Sequence, residues 1–291
     1  MKKFGVALLT ACTMLPALRA QQSLTARQVI ARIQQHLGAS LPANTVDTFK
    51  AGNPDEPLKG IAVTMMATYD VLERAARDTL VITHEPTFYS HLDATAALEK
   101  QGDAVLAAKQ KLIADHHLVV WRFHDGWHIR RPDGILLGMT KALHWEKFQD
   151  SREPQLFQLP ETTVGKLADE AKEKLGINVL RVVGDPGLRV SKVAFLPGAA
   201  GSARQIKLLQ QPNVEVLMIG ETPEWETVEY VADAASEGKR KALLILGHIP
   251  SEQAGMEECT TWLRSFISEV PIQFVPAKEP FWLPGRQQKT R

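Results

Sequence analysis

Residues 60–86, GIAVTMMATYDVLERAARDTLVITHEP, contain a strand, a helix and a second strand in direct succession. The apolar runs GIAVTMMA and LVIT are typical of buried strands, and YDVLERAARD between them has the spacing of an amphipathic helix. A strand, helix and strand in this order form a βαβ unit, whose helix covers one face of the sheet. This stretch therefore predicts an α/β fold.

The alternation of strands and helices continues on both sides of a proline-rich polar joint, DSREPQLFQLPET. Before the joint we expect a helix over residues 96–114 and a strand at LVVWRF. After it, VGKLADEAKEKLG and PEWETVEYVADAASEG are typical of helices, and KVAFL, VEVLMI and ALLIL of strands. The pattern predicts two similar α/β halves, residues 21–150 and 151–291, with mixed or parallel sheets flanked by helices.

Residues 1–20 have the layout of a signal peptide, with Lys2 and Lys3 before the apolar stretch FGVALLTACTMLPAL and small residues up to Ala20. We therefore expect export to the periplasm or beyond, with cleavage near Ala20. An alternative is a lipoprotein anchored at Cys12, although the apolar residues after Cys12 argue against it. Since no later stretch reaches the roughly 20 apolar residues of a spanning helix, we expect no membrane span.

Composition indicates a globular protein of balanced charge. The 291 residues are 44% hydrophobic and carry 34 basic against 33 acidic residues, a net charge of +1. A balanced charge gives no general attraction for nucleic acid, so we expect no nucleic-acid partner. After removal of residues 1–20 the only cysteine is Cys259, so no internal disulfide can form.

Histidines follow three of the predicted strands, in THEP, FHDGWH and GHIPSE. Ligands of open α/β sheets bind beyond the carboxyl ends of the strands, where these three segments should lie. THEP supplies His84 and Glu85. FHDGWH supplies His128 and Asp125, while we interpret His124 as a packing residue in a loop.

The segment GHIPSE places His248 and Glu252 four residues apart at the start of a helix, so that both side chains lie on one side of its first turn. Either pair alone would be unremarkable as a loop. Because all three strand ends carry histidine, we predict that they converge on a metal site. Imidazole and carboxylate ligands suit Zn, Fe, Mn or Ni.

The chain resembles the NIF-three-like dinuclear metal-centre family, also known as GTP cyclohydrolase one, type two. The resemblance covers about residues 46–280 and rests on the order of KGIAVTMMATYDVLERAARDTLVITHEP, TVGKLADEAKEKLG, VVGDP, VAFLPGAAGS and GHIPSE. It implies two similar α/β halves, a ring-shaped hexamer, and two divalent metal ions in a cleft between the halves.

The resemblance also implies a ligand set. His84 stands at the first of two adjacent histidines of the family and Glu85 at the second. His128 stands where the family has an aspartate, and His248 and Glu252 match directly. Relative to the family, Glu85 thus replaces a histidine and His128 replaces an aspartate. The total of three imidazoles and two carboxylates stays the same. This favours a retained site with altered geometry.

The resulting hypothesis is a metal-dependent hydrolase of a small-molecule substrate, in which two ions activate water. Glu252 is the expected bridging ligand, and Asp125 is a further ligand or a base behind the ligands. Glu224 and Trp225, in GETPEW, stand where similar proteins tend to carry histidines, so the substrate is not implied by the resemblance. The alternative is a non-catalytic oligomer that stores or senses metal.

Overall fold

The computed structural model describes residues 23–284, which form two five-stranded mixed sheets flanked by helices. The strands are β1 (Phe49–Ala51), β2 (Gly60–Thr64), β3 (Thr79–Thr83), β4 (Val119–Arg122), β5 (Leu156–Thr163), β6 (Arg181–Val183), β7 (Arg189–Leu196), β8 (Val216–Ile219), β9 (Ala242–Ile245) and β10 (Ile272–Phe274). The helices are α1 (Ala26–Leu37), α2 (Tyr69–Arg74), α3 (Ala96–Lys100), α4 (Ala104–Asp115), α5 (Asp125–Ile129), α6 (Gly134–Ala142), α7 (Val164–Leu175), α8 (Ser202–Leu209), α9 (Glu229–Ser236) and α10 (His248–Arg264). The predicted α/β class with mixed sheets is confirmed.

The first sheet has the strand order β1-β4-β3-β2-β10. Strands β2, β3 and β4 are parallel and every residue in them is buried, as their uninterrupted apolar sequences predict. Strand β1 closes one edge in the antiparallel direction, and β10 adds to β2 in parallel at the other edge. Residues 272–274 thus return to the first sheet. The joint near residue 150 stays a prediction.

The second sheet has the order β5-β7-β8-β9-β6, with three parallel central strands and an antiparallel strand at each edge. Most of strand β5 lies within DSREPQLFQLPET, the proline-rich polar segment at which we placed the joint. Its pairing with β7 is irregular between Gln158 and Thr162, around Pro160. A proline is tolerated in an edge strand because its missing N–H need not pair.

Two further expectations about local structure differ from the fold. The single helix predicted over residues 96–114 is divided into α3 and α4, because Gly102 has a φ of +65° and Asp103 caps α4 by accepting from the Leu106 N–H. In the segment FHDGWH, expected to be a loop, the residues from Asp125 onwards belong to the short helix α5, and His124 is its N-cap. A helix here places the residues of FHDGWH at helical spacing, which matters for the site below.

Helices α6 and α10 cross in very close contact. A Cβ atom on Gly138 of α6 would lie 2.3 Å from the carbonyl oxygen of Ala254, and one on Gly255 would lie 2.5 Å from Cα of Ile135. The indole Nε1 of Trp127, a fully buried residue of α5, donates to the Gly255 carbonyl at 3.1 Å. These contacts fix α5 and α6 against the first half of α10.

The expected signal segment and Cys12 lie outside the described residues. Among the helices of residues 23–284, none combines the length and apolar character needed to cross a membrane. Cys259 is fully buried, and its burial raises the pKa of the thiol. It is therefore an inert core residue.

Candidate metal centre

The first pair of donors, His84 and Glu85, continues directly from β3. Their backbone N–H groups donate to the carbonyls of Thr64 and Met65, at 3.2 and 3.0 Å, so the chain stays beside β2 after the regular strand has ended. Both side chains are buried, His84 completely. Buried polar side chains at the carboxyl end of a parallel sheet are typical of a binding site.

The second pair of donors lies on α5, one helical turn apart. The His128 N–H donates to the His124 carbonyl at 3.1 Å, which brings the two rings to the same side of the helix. The start of this helix is fixed by Asp47, whose buried carboxylate accepts from the backbone N–H groups of His124, Asp125 and Gly126 at 2.7, 2.9 and 2.8 Å. Asp47 thus satisfies three N–H groups that a helix start leaves unpaired.

The third pair, His248 and Glu252, lies on the first two turns of α10. Gly247, with a φ of +92°, turns the chain from β9 into this helix. The Glu252 carboxylate packs against the backbone of Gly198, where a Cβ atom would lie only 2.2 Å from Oε1. Gly198 has a φ of +64°, so the glycine is required both by its conformation and by the close approach of the carboxylate.

These three pairs meet at one place, and we call the six residues the donor cluster. Its members are His84, Glu85, His124, His128, His248 and Glu252. One ligand atom from each of His84, His124 and His128 lies within 4.8 Å of the others, and the same holds for His84, Glu85 and Glu252. Nε2 of His248 lies 3.2 Å from Oε1 of Glu85 and 3.3 Å from Oε2 of Glu252.

Each imidazole of the donor cluster has an acceptor or carboxylate at Nδ1. The four partners are Phe123 O for His84 (3.0 Å), Asp125 Oδ1 for His124 (3.0 Å), Asp133 Oδ2 for His128 (2.9 Å) and Glu221 Oε1 for His248 (3.3 Å). An acceptor at Nδ1 holds the hydrogen there and leaves the lone pair on Nε2. This is the arrangement that metal-binding histidines usually show.

Two buried polar atoms of the cluster have no hydrogen-bond partner within residues 23–284. They are Nε2 of His84 and Oε2 of Glu252, which lie 3.7 Å apart. Leaving buried polar atoms unpaired is costly, and most such atoms in folded proteins have a partner. The two atoms are a nitrogen and a carboxylate oxygen facing the same space, which are ligand atoms for a transition-metal ion. The residues therefore fit a metal site.

The electrostatics of the histidines follow from their burial. Burial, reinforced by the nearby His128 and His124, holds the pKa of His84 well below its ordinary value, so His84 is a neutral imidazole able to bind a metal. Burial also opposes the charged form of His128, but the hydrogen bond to Asp133 and the negative charges of Asp133, Glu252 and Glu85 together outweigh it and raise the pKa of His128.

The carboxylates around His248 favour its protonated form, in contrast to His84. Burial alone would lower its pKa, but contacts to Glu221, Glu252 and Glu85 raise the pKa of His248 to about 12. Burial likewise opposes the charge on Glu85, yet the contact with His248 leaves the pKa of Glu85 below its usual range. In the metal-free protein a proton on His248 balances these carboxylates, and a divalent cation would balance them in its place.

Arg122, at the end of β4, is fully buried directly behind the cluster. Its guanidinium donates to Oε2 of Glu85 at 3.2 Å and to the carbonyls of His84 and His91 at 3.1 and 2.5 Å. Arg122 therefore occupies one oxygen of Glu85 and leaves the other facing His248 and His124. A buried guanidinium with three acceptors fixes both the carboxylate and the loop that carries it.

The structure brings together all five residues that the sequence predicted as metal ligands. Asp125 is placed differently: its Oδ2 accepts from Thr45 Oγ1 at 2.8 Å and from the Val46 N–H at 3.1 Å, and its Oδ1 faces Nδ1 of His124. Its carboxylate thus lies behind His124 and not among the donors. That role corresponds to the second of the two roles considered for Asp125.

Sequence reasoning missed the donor His124, which packs against His84 with a ring-centroid distance of 4.6 Å. The signal was present, since His124 and His128 have the same four-residue spacing as His248 and Glu252. It also missed Asp47, Arg122, Asp133 and Glu221, which hold the donors from behind. Only Asp133, as a helix cap before GILLGM, had a readable signal of its own.

The fold and the cluster together define an α/β protein with a histidine and carboxylate centre at the ends of its strands. The sequence profile of the Duf34/NIF3 (NGG1p interacting factor 3) family matches residues 24–280. The chain belongs to this family, which confirms the resemblance seen in the sequence. No curated protein sequence matches the chain.

Solved structures of this fold come from several organisms. Staphylococcus aureus protein SA1388 matches with a TM-score of 0.69 at 15% identity over 90% of this chain and 99% of that chain. A Bacillus cereus protein related to NIF3 gives a TM-score of 0.69 at 13% identity, over 90% and 99%. Reduced HcgD from Methanocaldococcus jannaschii gives 0.61 at 15% identity, over 87% and 98%. At these identities the likeness supports the fold alone.

Proposed function

We propose that the donor cluster holds two divalent metal ions and that the protein is a metal-dependent hydrolase of a small-molecule substrate. The ligands are His84, Glu85, His128, His248 and Glu252, joined by His124. One observation carries the proposal. Nδ1 of each of the four histidines already has a partner. Their four Nε2 atoms, together with two buried carboxylates, are therefore the atoms that face one another and can bind metal.

The number of donors supports two ions over one. Four imidazoles and two carboxylates exceed the four ligands of a closed zinc site, and the cluster separates into two overlapping groups of three that share His84. Glu252 faces both sides, with Oε2 3.7 Å from Nε2 of His84 and 3.3 Å from Nε2 of His248. It is therefore the residue that would bridge the ions.

The cluster is partly exposed at three of its histidines and enclosed at the fourth. The side chains of His248, His124 and His128 are 21%, 25% and 29% exposed, whereas His84 is fully buried. Divalent ions, when bound, polarise substrate oxygens and lower the pKa of water. The chain itself positions the donors, keeps water away from the His84 side and admits a reactant from the other.

A cavity of about 370 Å³, suited to a small molecule, is lined by Glu221, which contacts Nδ1 of the donor His248. It is lined by polar groups that include Arg181, Ser202 and Thr222. A larger cavity of about 520 Å³ lies beside α4. Neither cavity is lined by a donor itself, but only the smaller one is lined by Glu221, which contacts His248. We therefore assign the substrate to the smaller cavity.

Asp125 acts through His124 in this proposal. Burial opposes its charge, but hydrogen bonds from His124 and Thr45 keep the pKa of Asp125 below its usual range, so it is a carboxylate at neutral pH. A carboxylate behind an imidazole fixes the orientation of the ring and strengthens Nε2 as a base or ligand.

The test combines metal analysis with a screen for hydrolysis. Purified protein and the variants His248→Ala and Glu252→Ala are analysed for bound metal, with His91→Ala and Glu257→Ala as controls outside the cluster. We expect both cluster variants to lose metal and both controls to keep it. Unchanged metal in either cluster variant would defeat the ligand assignment.

The same preparations are then screened on phosphoesters, cyclic amides and nucleotides, with and without added metal. Metal-dependent turnover that the cluster variants lack supports the hydrolase. Metal binding without any such turnover would favour the alternative, a non-catalytic protein that stores or senses metal.

Export and assembly belong to the same proposal. Residues 1–20 are proposed to be a cleaved export signal, and Cys12 provides the less favoured lipoprotein alternative. Sequencing the amino terminus of the mature protein tests this, since a chain that retains Met1 would exclude cleavage. The hexamer implied by the family is tested by light scattering of the purified protein, where a monomer mass would exclude it.

A further inference from the structure

The donor cluster divides into two groups of different chemistry. The imidazole group consists of His84, His124 and His128, whose ring centroids lie 4.6 to 5.0 Å from one another. The carboxylate group consists of Glu85, His248 and Glu252, joined by the contacts of 3.2 and 3.3 Å from Nε2 of His248. Oε2 of Glu252 also faces Nε2 of His84 at 3.7 Å. One group therefore offers mainly nitrogen donors, and the other offers mainly oxygen.

We propose that these groups are unequal metal sites: the imidazole group binds first and selects nitrogen-preferring ions such as Zn²⁺, and the carboxylate group binds second and also accepts Mn²⁺. The inference rests on the proposed two-ion site but not on its being catalytic. Imidazole suits Zn²⁺, while carboxylates suit harder ions, and affinities at nitrogen sites rise steeply from Mn²⁺ towards Zn²⁺.

The imidazole group is prepared for an ion before one arrives. All three of its rings are held at Nδ1, by Phe123 O, Asp125 and Asp133. The buried Nε2 of His84 has no hydrogen-bond partner among residues 23–284, so binding an ion there breaks no existing contact of that atom. Three oriented imidazole donors also form the ligand set of several zinc enzymes.

The carboxylate group, in contrast, has contacts that an ion must compete with. Oε2 of Glu85 is held by Arg122 at 3.2 Å, and the positive guanidinium offsets part of the attraction for a cation. The ring of His248 contacts three carboxylates, the third being Glu221 behind it. An ion entering this group must replace contacts that already exist, which lowers its affinity relative to the imidazole group.

Two residues behind the donors allow the groups to be perturbed separately. Asp133 contacts only the imidazole group, with Oδ2 bound to His128 and Oδ1 capping α6 at Leu136. Asp133→Asn has one acceptor oxygen in place of two, and asparagine remains a good helix cap. Glu221 contacts only the carboxylate group, through His248, so Glu221→Gln is the counterpart.

The experiment is a Zn²⁺ and Mn²⁺ titration of the full chain after removal of metal with a chelator, followed by calorimetry and metal analysis. In the unmodified protein we expect two Zn²⁺ ions in two resolved steps, and one Mn²⁺. Asp133→Asn should weaken the first Zn²⁺ step by about 10–100-fold and leave Mn²⁺ binding unchanged. Glu221→Gln should weaken the second Zn²⁺ step and Mn²⁺ binding and leave the first Zn²⁺ step unchanged.

Controls and contrary outcomes are defined by the same titration. Asp55→Asn and Glu257→Gln, both exposed, should bind as the unmodified protein does, and thermal melting checks that every variant is folded. Equal weakening of both Zn²⁺ steps by either cluster variant, or tight binding of two Mn²⁺ ions, would overturn the unequal sites. If the two sites bind metal unequally but no hydrolysis is found, only the proposed hydrolase activity is refuted. If hydrolysis is found but the two sites bind metal equally, only the inference of unequal sites is refuted.

Discussion

Replacing Asp47 by alanine tests whether one buried carboxylate holds the start of α5 and, through it, two of the six residues of the donor cluster. Asp47 accepts three backbone N–H groups, from His124, Asp125 and Gly126, at distances of 2.7 to 2.9 Å. Alanine would leave all three donors without this acceptor. We therefore expect Asp47→Ala to destabilise the fold and to weaken metal binding together.

The size of the effect follows from three opposing contributions. Leaving one donor of a charged hydrogen bond unpaired costs about 1.5–3 kcal/mol, which sets an upper limit when applied to all three. Burial of Asp47 raises the pKa of its carboxyl group, because desolvation exceeds the stabilisation by the N–H groups. Removing the carboxylate relieves that cost, and water can reach the half-buried first turn. We therefore expect a net loss of about 2–4 kcal/mol, somewhat above that of a typical helix cap.

The assay is urea unfolding of chelator-treated protein at neutral pH, with Asp47→Asn as a graded variant. Oδ1 serves His124 and Asp125 and Oδ2 serves Gly126, so asparagine keeps one acceptor oxygen and should lose less stability than alanine. Asp55→Ala, at an exposed ion pair with Arg27, is the matched control and should leave the midpoint unchanged. A loss below about 0.5 kcal/mol for Asp47→Ala, the size of an ordinary surface change, would refute the reasoning.

Four other substitutions test further contacts. At an exposed position Gly138→Ala would gain about 1 kcal/mol in helix propensity, but here its Cβ would lie 2.3 Å from the α10 backbone. We therefore expect the free energy of unfolding in urea to fall by about 1–3 kcal/mol. A gain in stability would exclude the close crossing of α6 and α10. Gly198→Ala should displace the Glu252 carboxylate, so metal content should fall while thermal melting still shows a folded protein. Arg122→Ala leaves a buried carboxylate unpaired and should cost about 3–5 kcal/mol in urea unfolding, with a loss under 1 kcal/mol contradicting the pairing. His84 titrates well below its ordinary pKa only when folded, so below about pH 6.5 the unfolded chain binds a proton that the folded chain does not. Metal-free protein should therefore lose stability as the pH falls from about 6.5, and His84→Gln should show a shallower loss; equal slopes would refute the assignment.

The sequence was sufficient to predict those parts of the fold that depend on local pattern. Strands β2 and β3 are continuous apolar runs, and they are fully buried in a parallel sheet as such runs require. The rule that parallel strands end at a common edge then indicated where the donors would meet. It accounts for the donors after β3 and β4, which belong to one sheet. It does not account for His248, which follows β9 of the second sheet, 164 residues after His84.

The remaining features depend on contacts between distant segments. Asp47 holds α5 from 77 residues away and has no local pattern that marks it as a cap. His124 was interpreted as a packing residue because FHDGWH was expected to be a loop, and a loop gives no reason for residues 124 and 128 to share a face. Once the segment is helical, the four-residue spacing places both rings in the cluster.

Strand β10 makes the first sheet dependent on the last part of the chain. Ile272 pairs with Ile61 and Phe274 with Val63, so the fully buried β2 becomes an edge strand when residues 272–274 are missing. An open apolar edge of this kind promotes pairing between chains. A nascent chain still lacking its last twenty residues would expose that edge, and so would a fragment ending at residue 150. Productive folding of the amino-terminal sheet then requires residues 272–274 to have been made, and forms without them are expected to aggregate.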